Sequence, residues 1–352
     1  MIRSKVYENI IIGGGQAGLS IAYFLKKRKI DYLILDDQKE SGGSWLNTWD
    51  KLKLFSPVQF SSLSGWQMPK GDFEYPSKND FLDYLKNYES RYNFPIKRSI
   101  KVSSVTKENG LFKIETNQGD FHSKTLVSAT GTAQNPFIPE YPNMTSFEGR
   151  QIHSSEFKNT NGFEEKNVLI IGGGNSGVQI LAEISKVAQT KWVTKDEPHF
   201  LPEEIDGRYL FNEATQRFLG KTNANTYKNS NVSLKNIVVV ESVKEALNRN
   251  VLHAQRPFKS FYEKGVIWQD NNKEEFDIII WCTGFKPNLE HLHPLNIIHN
   301  NQIETQLTRS VVEPKLWLVG YGSWTGFASA TIYGVGKTAR QSAKEIFEEL
   351  KE

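Results

Sequence analysis

Residues 10–18 read Ile-Ile-Ile-Gly-Gly-Gly-Gln-Ala-Gly, a β-branched run that leads directly into a Gly-x-Gly-x-x-Gly motif and then into an apolar helical pattern. Gly13 permits the bend out of the strand, Gly15 lets a pyrophosphate reach bare backbone, and Gly18 lets the helix pack close to the sheet. The helix N-terminus offers free N–H groups to phosphates. We therefore predict that the turn binds a dinucleotide through Gly13, Gly15, Gln16, Ala17 and Gly18.

An acidic residue follows the next apolar strand of the sequence. Leu33-Ile34-Leu35 is followed by Asp36, eighteen positions after Gly18. A carboxylate in this position accepts a hydrogen bond from a ribose hydroxyl. Asp36 is therefore predicted to hold the adenosine ribose.

The motif occurs a second time, and so does a second signature that accompanies it. Residues 168–177 read Val-Leu-Ile-Ile-Gly-Gly-Gly-Asn-Ser-Gly, and both 126–131 and 278–284 are apolar strands that end in Thr-Gly. Such internal similarity indicates two copies of one fold. The second set of predicted binding residues is Gly172, Gly174, Asn175, Ser176 and Gly177, with Thr130, Gly131, Thr283 and Gly284 at the two Thr-Gly ends.

The composition excludes several classes of protein. The chain has 352 residues, and its 43 basic and 40 acidic residues are spread throughout, so no basic stripe favours nucleic acid. No apolar run approaches the ~20 residues of a membrane span, and no signal-peptide pattern begins the chain, so we expect a cytoplasmic protein without membrane association. Cys282 is the only cysteine, which excludes an internal disulfide and a redox pair.

The remaining segments predict the layers around the two motifs. The composition of residues 41–66 predicts an ordered loop. Ser77 or Asn79 is predicted to be the N-cap of a helix, and residues 101–126 are predicted to form an antiparallel meander. Residues 198–262 are predicted to form a lid that covers the site. The Gly-rich turn 320–326 and the helix of 331–352 are expected to face a cofactor. Further predicted cofactor contacts are Gly43, Ser44, Trp45, Leu54, Val102, Ala330 and Thr331.

The paired motifs resemble flavoproteins that bind FAD in a first fold and a nicotinamide dinucleotide in a second. Residues 147–157 fit Phe-x-Gly-x-x-x-His-x-x-x-[Tyr/Phe], the identifying motif of the flavin-containing monooxygenases, and 320–340 is similar to their short bacterial branch. Phe157 is followed by Lys158, whereas Baeyer–Villiger relatives have Trp followed by Pro or Asp. Ser56-Pro57 also lacks the Asn that many relatives place near the flavin.

This resemblance implies an α/β protein with two Rossmann-like dinucleotide-binding domains in three layers and an inserted β-meander. The FAD domain would comprise 1–158 and 285–352, and the NAD(P)H domain 159–284. The implied activity is a monooxygenase that forms a C4a-hydroperoxyflavin and oxygenates sulfides and amines, with weak Baeyer–Villiger activity on ketones left open. Flavin-facing candidates are Phe55, Ser56, Trp324 and Thr325, and no side chain, His153 included, is assigned as acid or base.

Counting within the repeat predicts which dinucleotide each fold binds. Eighteen residues after Gly177 lies Lys195, following Thr194 at the end of the strand. A carboxylate at this position suits a free 2′-hydroxyl and a cation suits a 2′-phosphate, so FAD is expected in the first fold and NADPH in the second. Because Asp196 adjoins Lys195, we expect loose selectivity, with NADH also accepted.

Two other functions remain open from the sequence. One is an NAD(P)H dehydrogenase or diaphorase, and the other is a flavin-bound redox sensor without turnover. The expected partners are a small-molecule substrate and O₂, with a homodimer as the expected assembly. The sequence does not identify the substrate.

Overall fold

The computed structural model describes residues 5–73, 75–202, 236–326 and 328–352. Its contacts divide the chain into two compact units. The first contains Met1–Leu46, Ser56–Asn135 and Lys286–Glu352, and the second contains Asn47–Phe55 and Pro136–Phe285.

The first unit is built on a nine-stranded sheet with the order β17-β18-β19-β6-β1-β2-β3, to which β4 and β5 are added beside β6. Strands β3, β2, β1, β6 and β19 run parallel. The strands are β1 Val6–Ile12, β2 Tyr32–Leu35, β3 Ile96–Lys97, β4 Val102–Glu108, β5 Leu111–Thr116, β6 Gly119–Ser128, β17 Thr305–Gln306, β18 Arg309–Ser310 and β19 Leu316–Leu318. A separate two-stranded sheet joins β15 Ile298–His299 to β16 Gln302–Ile303.

Three helices belong to this unit: α1 Gln16–Lys27, α2 Lys78–Tyr92 and α5 Ile332–Glu349. Helix α1 packs against both others. Of the two predicted caps, Ser77 and not Asn79 caps α2, by accepting from the Asp80 N–H. A buried cluster contains Ile10 and Ile12 of β1 with Phe112 and Ile114 of the meander. The meander β4-β5-β6 is antiparallel, which confirms the predicted insertion.

The second unit is built on a parallel five-stranded sheet with the order β10-β9-β8-β14-β7. Its strands are β7 Arg150–His153, β8 Asn167–Ile171, β9 Gln189–Val193, β10 Ala254–Gln255 and β14 Ile278–Trp281. A three-stranded antiparallel sheet holds β11 Ser260–Tyr262, β12 Gly265–Ile267 and β13 Lys273–Glu275. The helices are α3 Asn175–Ile184 and α4 Glu241–Asn248.

The two faces of this sheet have different partners. Val168 and Ile170 of β8 pack with the apolar residues of α3, whereas Leu169 and Ile171 pack with Phe261 of the three-stranded sheet. Alternate strand residues point to opposite faces, so each buried position follows from the strand period. The three-layer α/β class predicted from the sequence is confirmed.

The units divide the chain differently from the predicted domains. Residues 136–158 were assigned to the FAD domain, but β7 pairs with β14 and so places them in the second unit. The segment Asn47–Phe55 also groups with the second unit, because Trp49 packs into its core and the Asp50 N–H donates to the Lys158 carbonyl. Within the predicted lid, 203–235 lies outside the described residues. No helix in the described ranges is long and apolar enough to cross a bilayer.

A buried polar network fixes the end of β6 in the first unit. The Ser128 hydroxyl bonds to both the Tyr321 hydroxyl and the His291 Nε2, the latter at 3.0 Å. His291 is 5% exposed, and burial lowers the pKa of its imidazole from 6.5 to about 4, with nearby His293 adding to the effect. His291 is therefore neutral at pH 7.

This depressed pKa predicts an acid-sensitive fold. The unfolded chain protonates His291 below pH 6.5, whereas the folded chain excludes that proton down to about pH 4. The free energy of unfolding should fall across this window by up to about 3 kcal/mol from this group alone. His291→Gln removes the titration, so the variant should be less sensitive to pH than the wild type in urea unfolding at pH 7, 5.5 and 4.5. Parallel pH dependences would contradict the assignment.

Candidate nucleotide sites

The first phosphate turn connects β1 to α1, and two of its glycines are fixed by packing. Gly13 has φ +103, and a Cβ there would lie 2.6 Å from the Ala129 carbonyl oxygen. A Cβ on Gly18 would lie 1.9 Å from the Gly13 carbonyl oxygen. Both contacts bring the helix and the neighbouring strand closer than any side chain allows, as the motif predicts.

The second turn repeats this geometry between β8 and α3. Gly172 has φ +137, and a Cβ there would meet the Cys282 carbonyl oxygen at 2.1 Å. A Cβ on Gly177 would lie 2.4 Å from the Gly172 carbonyl oxygen. The two motifs thus have the same packing geometry, which occurs once in each unit.

The middle glycines have a different role. Gly15 and Gly174 are the N-caps of α1 and α3, and neither helix has a side-chain cap from the described residues. A Cβ on Gly15 would meet only the Gly43 Cα, at 3.7 Å, and one on Gly174 would meet nothing within 4 Å. Open space beside uncapped helix N–H groups of Gln16, Ala17, Asn175 and Ser176 fits a phosphate.

Gln16 joins two other residues that are predicted to contact the cofactor, Trp45 and Ala330. The Trp45 indole N–H donates to Gln16 Oε1 at 3.0 Å, and Gln16 Nε2 donates to the Ala330 carbonyl at 2.9 Å. Gly43 lies against Gly15, since a Cβ on Gly43 would be 2.7 Å from the Gly15 Cα. Ser44 follows in the same 3₁₀ turn, Gly43–Asn47.

Two orphaned polar atoms of the first unit also fit a bound cofactor. Ser41 Oγ and Trp324 Nε1 are buried and have no hydrogen-bond partner among the described residues. Buried donors and acceptors are nearly always satisfied, so unpaired ones indicate a missing partner. These atoms lie in the two segments that the sequence assigned to the cofactor.

Asp36 lies where the ribose is predicted, but it does not act alone. Its Oδ1 accepts from the Gly14 N–H at 3.1 Å, and its Oδ2 pairs with the Arg98 guanidinium. Burial raises the pKa of the Asp36 carboxyl, against the opposing effects of the Gly14 N–H and Arg98. A carboxylate has about four lone-pair sites, so it can still accept from a ribose hydroxyl.

The two Thr-Gly strand ends are also equivalent. Thr130 Oγ1 contacts the Asn288 carbonyl at 2.6 Å and the Tyr321 hydroxyl at 2.7 Å, and Thr283 Oγ1 donates to the Phe137 carbonyl. Both following glycines, Gly131 and Gly284, have positive φ. The threonine hydroxyls therefore fix these ends internally, and the cofactor contacts of these four residues stay predictions.

The C-terminal turn is fixed by its own hydroxyls. Thr331 Oγ1 accepts from the Gly334 N–H at 3.0 Å and caps α5, while Thr325 Oγ1 bonds to Ser329 Oγ at 2.8 Å. Trp324 packs on Tyr321, with ring centroids 5.5 Å apart. Ala330 and Thr331 thus lie at the start of α5, and their cofactor role stays a prediction.

Several other predicted contacts lie apart from the phosphate turn. Leu54 and Phe55 belong to the second unit, and Phe55 packs with Leu201 and Val238 there. Ser56 is buried, and its hydroxyl bonds to Ser61 Oγ at 2.9 Å. Val102 begins β4 and packs against the core cluster. The structure assigns packing contacts to these residues, and their flavin contacts stay predictions.

His153 of the 147–157 motif is a structural tie within the second unit. Its Nε2 lies 3.0 Å from the Gly284 carbonyl and its Nδ1 accepts from the Ser155 N–H at 3.2 Å. Burial lowers the pKa of His153, so the ring is neutral at pH 7. It holds the end of β7 to the loop after β14.

The hydrogen bonds correct the register on which the Lys195 argument depends. The Gly13 N–H donates to the Leu35 carbonyl and the Gly172 N–H to the Val193 carbonyl, each at 2.8 Å. The counterpart of Asp36 is therefore Thr194, and counting to Lys195 was wrong by one residue. The cause is that the stretch from glycine turn to strand end is one residue shorter in the second unit. The predicted contact of Lys195 with the nucleotide stays a prediction.

Two arginines were missed by sequence reasoning. Arg98 reaches Asp36, and Arg256 Nη1 lies 2.8 Å from Thr194 Oγ1, each across 62 residues. This equal separation is the signal that could have found both. A cavity of about 530 Å³ adjoins Arg256 and is also lined by Gln255, Lys191 and Trp268.

Comparison with known proteins gives the chain clear relatives. The family model described as pyridine nucleotide-disulphide oxidoreductase matches residues 10–320. A flavin-containing monooxygenase structure from Stenotrophomonas maltophilia is 38% identical with TM-score 0.90, covering 98% of this chain and 99% of that one. The uncharacterized oxidoreductase CzcO of Bacillus velezensis is 33% identical, covering 97% of this chain and 99% of that protein. The probable indole-3-pyruvate monooxygenase YUCCA1 of Arabidopsis thaliana is 27% identical, covering 97% and 90%.

The open space at the middle glycines predicts two separable losses. Gly15→Ala should fold, because its Cβ makes only an ordinary contact, yet occupy the phosphate space and yield protein without yellow colour. Gly174→Ala should retain the flavin spectrum and lose affinity for the nicotinamide dinucleotide. Circular dichroism checks folding, the visible spectrum measures flavin, and titration with NADP⁺ measures the second site. Stoichiometric FAD in Gly15→Ala would contradict the assignment of the first turn.

Proposed function

This chain belongs to the pyridine nucleotide-disulphide oxidoreductase family and, within it, to the flavin-containing monooxygenases, and from that premise we propose that it uses NADPH or NADH and O₂ to oxygenate a small soft nucleophile such as a sulfide or amine. It is an oxidoreductase of the monooxygenase class. FAD is proposed for the first unit and the nicotinamide dinucleotide for the second.

The observation that carries this proposal is that the two glycine turns share one geometry but have adjacent strand-end residues of different charge. Each turn leads into a helix without a side-chain cap and leaves open space at its middle glycine. The strand-end residue is Asp36, with a carboxylate, in the first unit and Thr194, with a neutral hydroxyl, in the second. A carboxylate suits the free ribose hydroxyls of FAD, since it accepts their hydrogen bonds and repels a 2′-phosphate. This difference supports the proposal that the two turns bind different dinucleotides.

FAD, when bound, accepts hydride from the nicotinamide and, once reduced, activates O₂. The residues of this chain supply binding and orientation. Gln16 holds Trp45 and Ala330 in place beside the phosphate turn, and Tyr321 fixes the end of β6. Burial raises the pKa of the Tyr321 hydroxyl and lowers that of His153, so both stay neutral near pH 7 and move no proton in this proposal.

The family name includes disulfide reductases, and the sequence separates this chain from that chemistry. A dithiol exchange needs two thiols, and Cys282 is the only cysteine. Burial raises the pKa of the Cys282 thiol to about 12, which keeps it protonated and unreactive. The reducing equivalents must therefore pass to something other than a cysteine pair of this chain.

The finer properties are part of the same proposal. Sulfides and amines are preferred over ketones because Phe157-Lys158 departs from the Trp-Pro or Trp-Asp ending of the Baeyer–Villiger relatives. A homodimer in the cytoplasm remains our prediction from the sequence. Loose selectivity between NADPH and NADH is expected because the Asp196 carboxylate adjoins Lys195.

Oxygen labelling tests the activity directly. FAD-loaded protein is supplied with NADPH, ¹⁸O₂ and a panel of alkyl aryl sulfides, tertiary amines and cyclic ketones, and products are measured by mass. We expect one ¹⁸O atom in a sulfoxide or N-oxide, with NADPH consumed. Gly174→Ala, with flavin retained, should give no product above background.

Other outcomes identify the alternatives. NADPH oxidation that reduces a quinone without any labelled product would indicate a dehydrogenase. Bound FAD with negligible NADPH oxidation in air would indicate a redox sensor. Either result would overturn the monooxygenase proposal.

A further inference from the structure

We propose that Arg256 gives the second unit a preference for NADPH, with NADH still accepted, by binding the 2′-phosphate of the NADPH adenosine, and that Asp36 keeps Arg98, the equivalent arginine of the first unit, from doing the same. The inference rests on the proposed function, because it requires that the second unit bind the nicotinamide dinucleotide. It adds a specificity-determining residue that the Gly-x-Gly-x-x-Gly motif does not contain.

The two arginines occupy the same place in the repeat. Strands β2 and β3 pair Leu35 with Lys97, and strands β9 and β10 pair Val193 with Gln255. The next residues are Asp36 beside Arg98 in one unit and Thr194 beside Arg256 in the other. In a doubly wound fold this position, after the second strand, lies next to the 2′ carbon of the adenosine ribose.

In the first unit the arginine is already neutralised. Arg98 pairs with Asp36 through one nitrogen and with Glu89 through the other. The Asp36 side chain is only 4% exposed, so it has no room to leave the guanidinium. A phosphate arriving here would meet two fixed carboxylates.

In the second unit the same guanidinium faces neutral groups. Arg256 Nη1 donates to Thr194 Oγ1 at 2.8 Å and to the Thr194 carbonyl at 3.2 Å. Its acidic partner is Glu197, whose side chain is 74% exposed and can turn to solvent. Exposed ion pairs are weak, whereas a guanidinium binds a phosphate through two parallel charge-assisted hydrogen bonds. Arg256 therefore keeps a charge that a 2′-phosphate can use.

Space and charge agree with this assignment. The 530 Å³ cavity borders Arg256, and its walls carry the cations Lys191 and Lys273 and the carboxylates Asp270 and Glu274. Lys191 pairs with Glu274 at 2.6 Å, so with Arg256 the lining keeps a formal charge of plus one. The charged residues at the two strand ends also differ. Asp36, Asp37, Glu89 and Arg98 carry a formal charge of minus two, whereas Lys195, Asp196, Glu197 and Arg256 carry none. The second strand end is therefore the better host for an additional phosphate.

The test is calorimetric titration of the FAD-loaded protein with NADP⁺ and NAD⁺. Arg256→Gln should weaken NADP⁺ binding by roughly 10- to 100-fold and leave NAD⁺ binding within about twofold, because only the phosphate contact is lost. Arg256→Lys should recover part of the loss as a point charge. Thr194→Asp, which copies the first unit, should neutralise Arg256 and also reduce the preference for NADP⁺.

Lys264→Gln is the matched control, since it removes an exposed cation of the same unit whose ammonium lies 4.0 Å from Glu275. It should change neither affinity. Circular dichroism and thermal unfolding confirm that the second unit of each variant is folded, and the flavin spectrum confirms the first. Equal losses for NADP⁺ and NAD⁺ in Arg256→Gln, or no loss, would overturn the role of Arg256. Wild-type protein that binds neither nucleotide would instead overturn the proposed function itself.

Discussion

Both units depend on the same constraint, which is that backbone must touch backbone where β1 or β8 turns into its helix. Gly13 lies against the Ala129 carbonyl and Gly172 against the Cys282 carbonyl, at distances that no Cβ tolerates. This contact sets the helix axis against the sheet, and the axis in turn aims the uncapped N–H groups of α1 and α3. The glycines that pack backbone on backbone and those that leave space for the proposed phosphate are therefore different glycines of one motif. The packing glycines determine the geometry, and the middle glycines leave the space.

The sequence predicted the parts of the fold that local chemistry dictates. The two Gly-x-Gly-x-x-Gly turns, the Ser77 cap and the meander all follow from contiguous residues, and the structure shows each of them. The strand-end register failed because a count along the chain cannot detect that the helix of the second unit is two residues shorter and the following strand one residue longer. Hydrogen bonds from Gly13 and Gly172 define the register, and these are tertiary facts.

Residues distant in sequence were harder to predict for a related reason. Arg98 and Arg256 follow strands of two residues each, too short to show a hydrophobic period, and their partners lie 62 positions earlier. Phe55 illustrates a different difficulty: the structure shows it packed against Leu201 and Val238, while the flavin contact suggested by the sequence stays a prediction. An aromatic side chain suits either role, so only its neighbours decide between them.

The division of the chain into units has a consequence for biosynthesis. Residues of the first unit come from both ends of the sequence, with α1 packed on α5 and Gln16 bonded to Ala330. The Gln16 amide beside the first turn thus lacks its Ala330 partner, and α1 lacks its packing partner α5, until the ribosome has delivered that part of the chain. The second unit, drawn almost wholly from the middle of the chain, is ready to fold sooner. Under the function proposed for the first unit, flavin binding would accordingly follow the synthesis of α5, and a truncation that removes α5 would remove the packing partner of α1 rather than a dispensable tail.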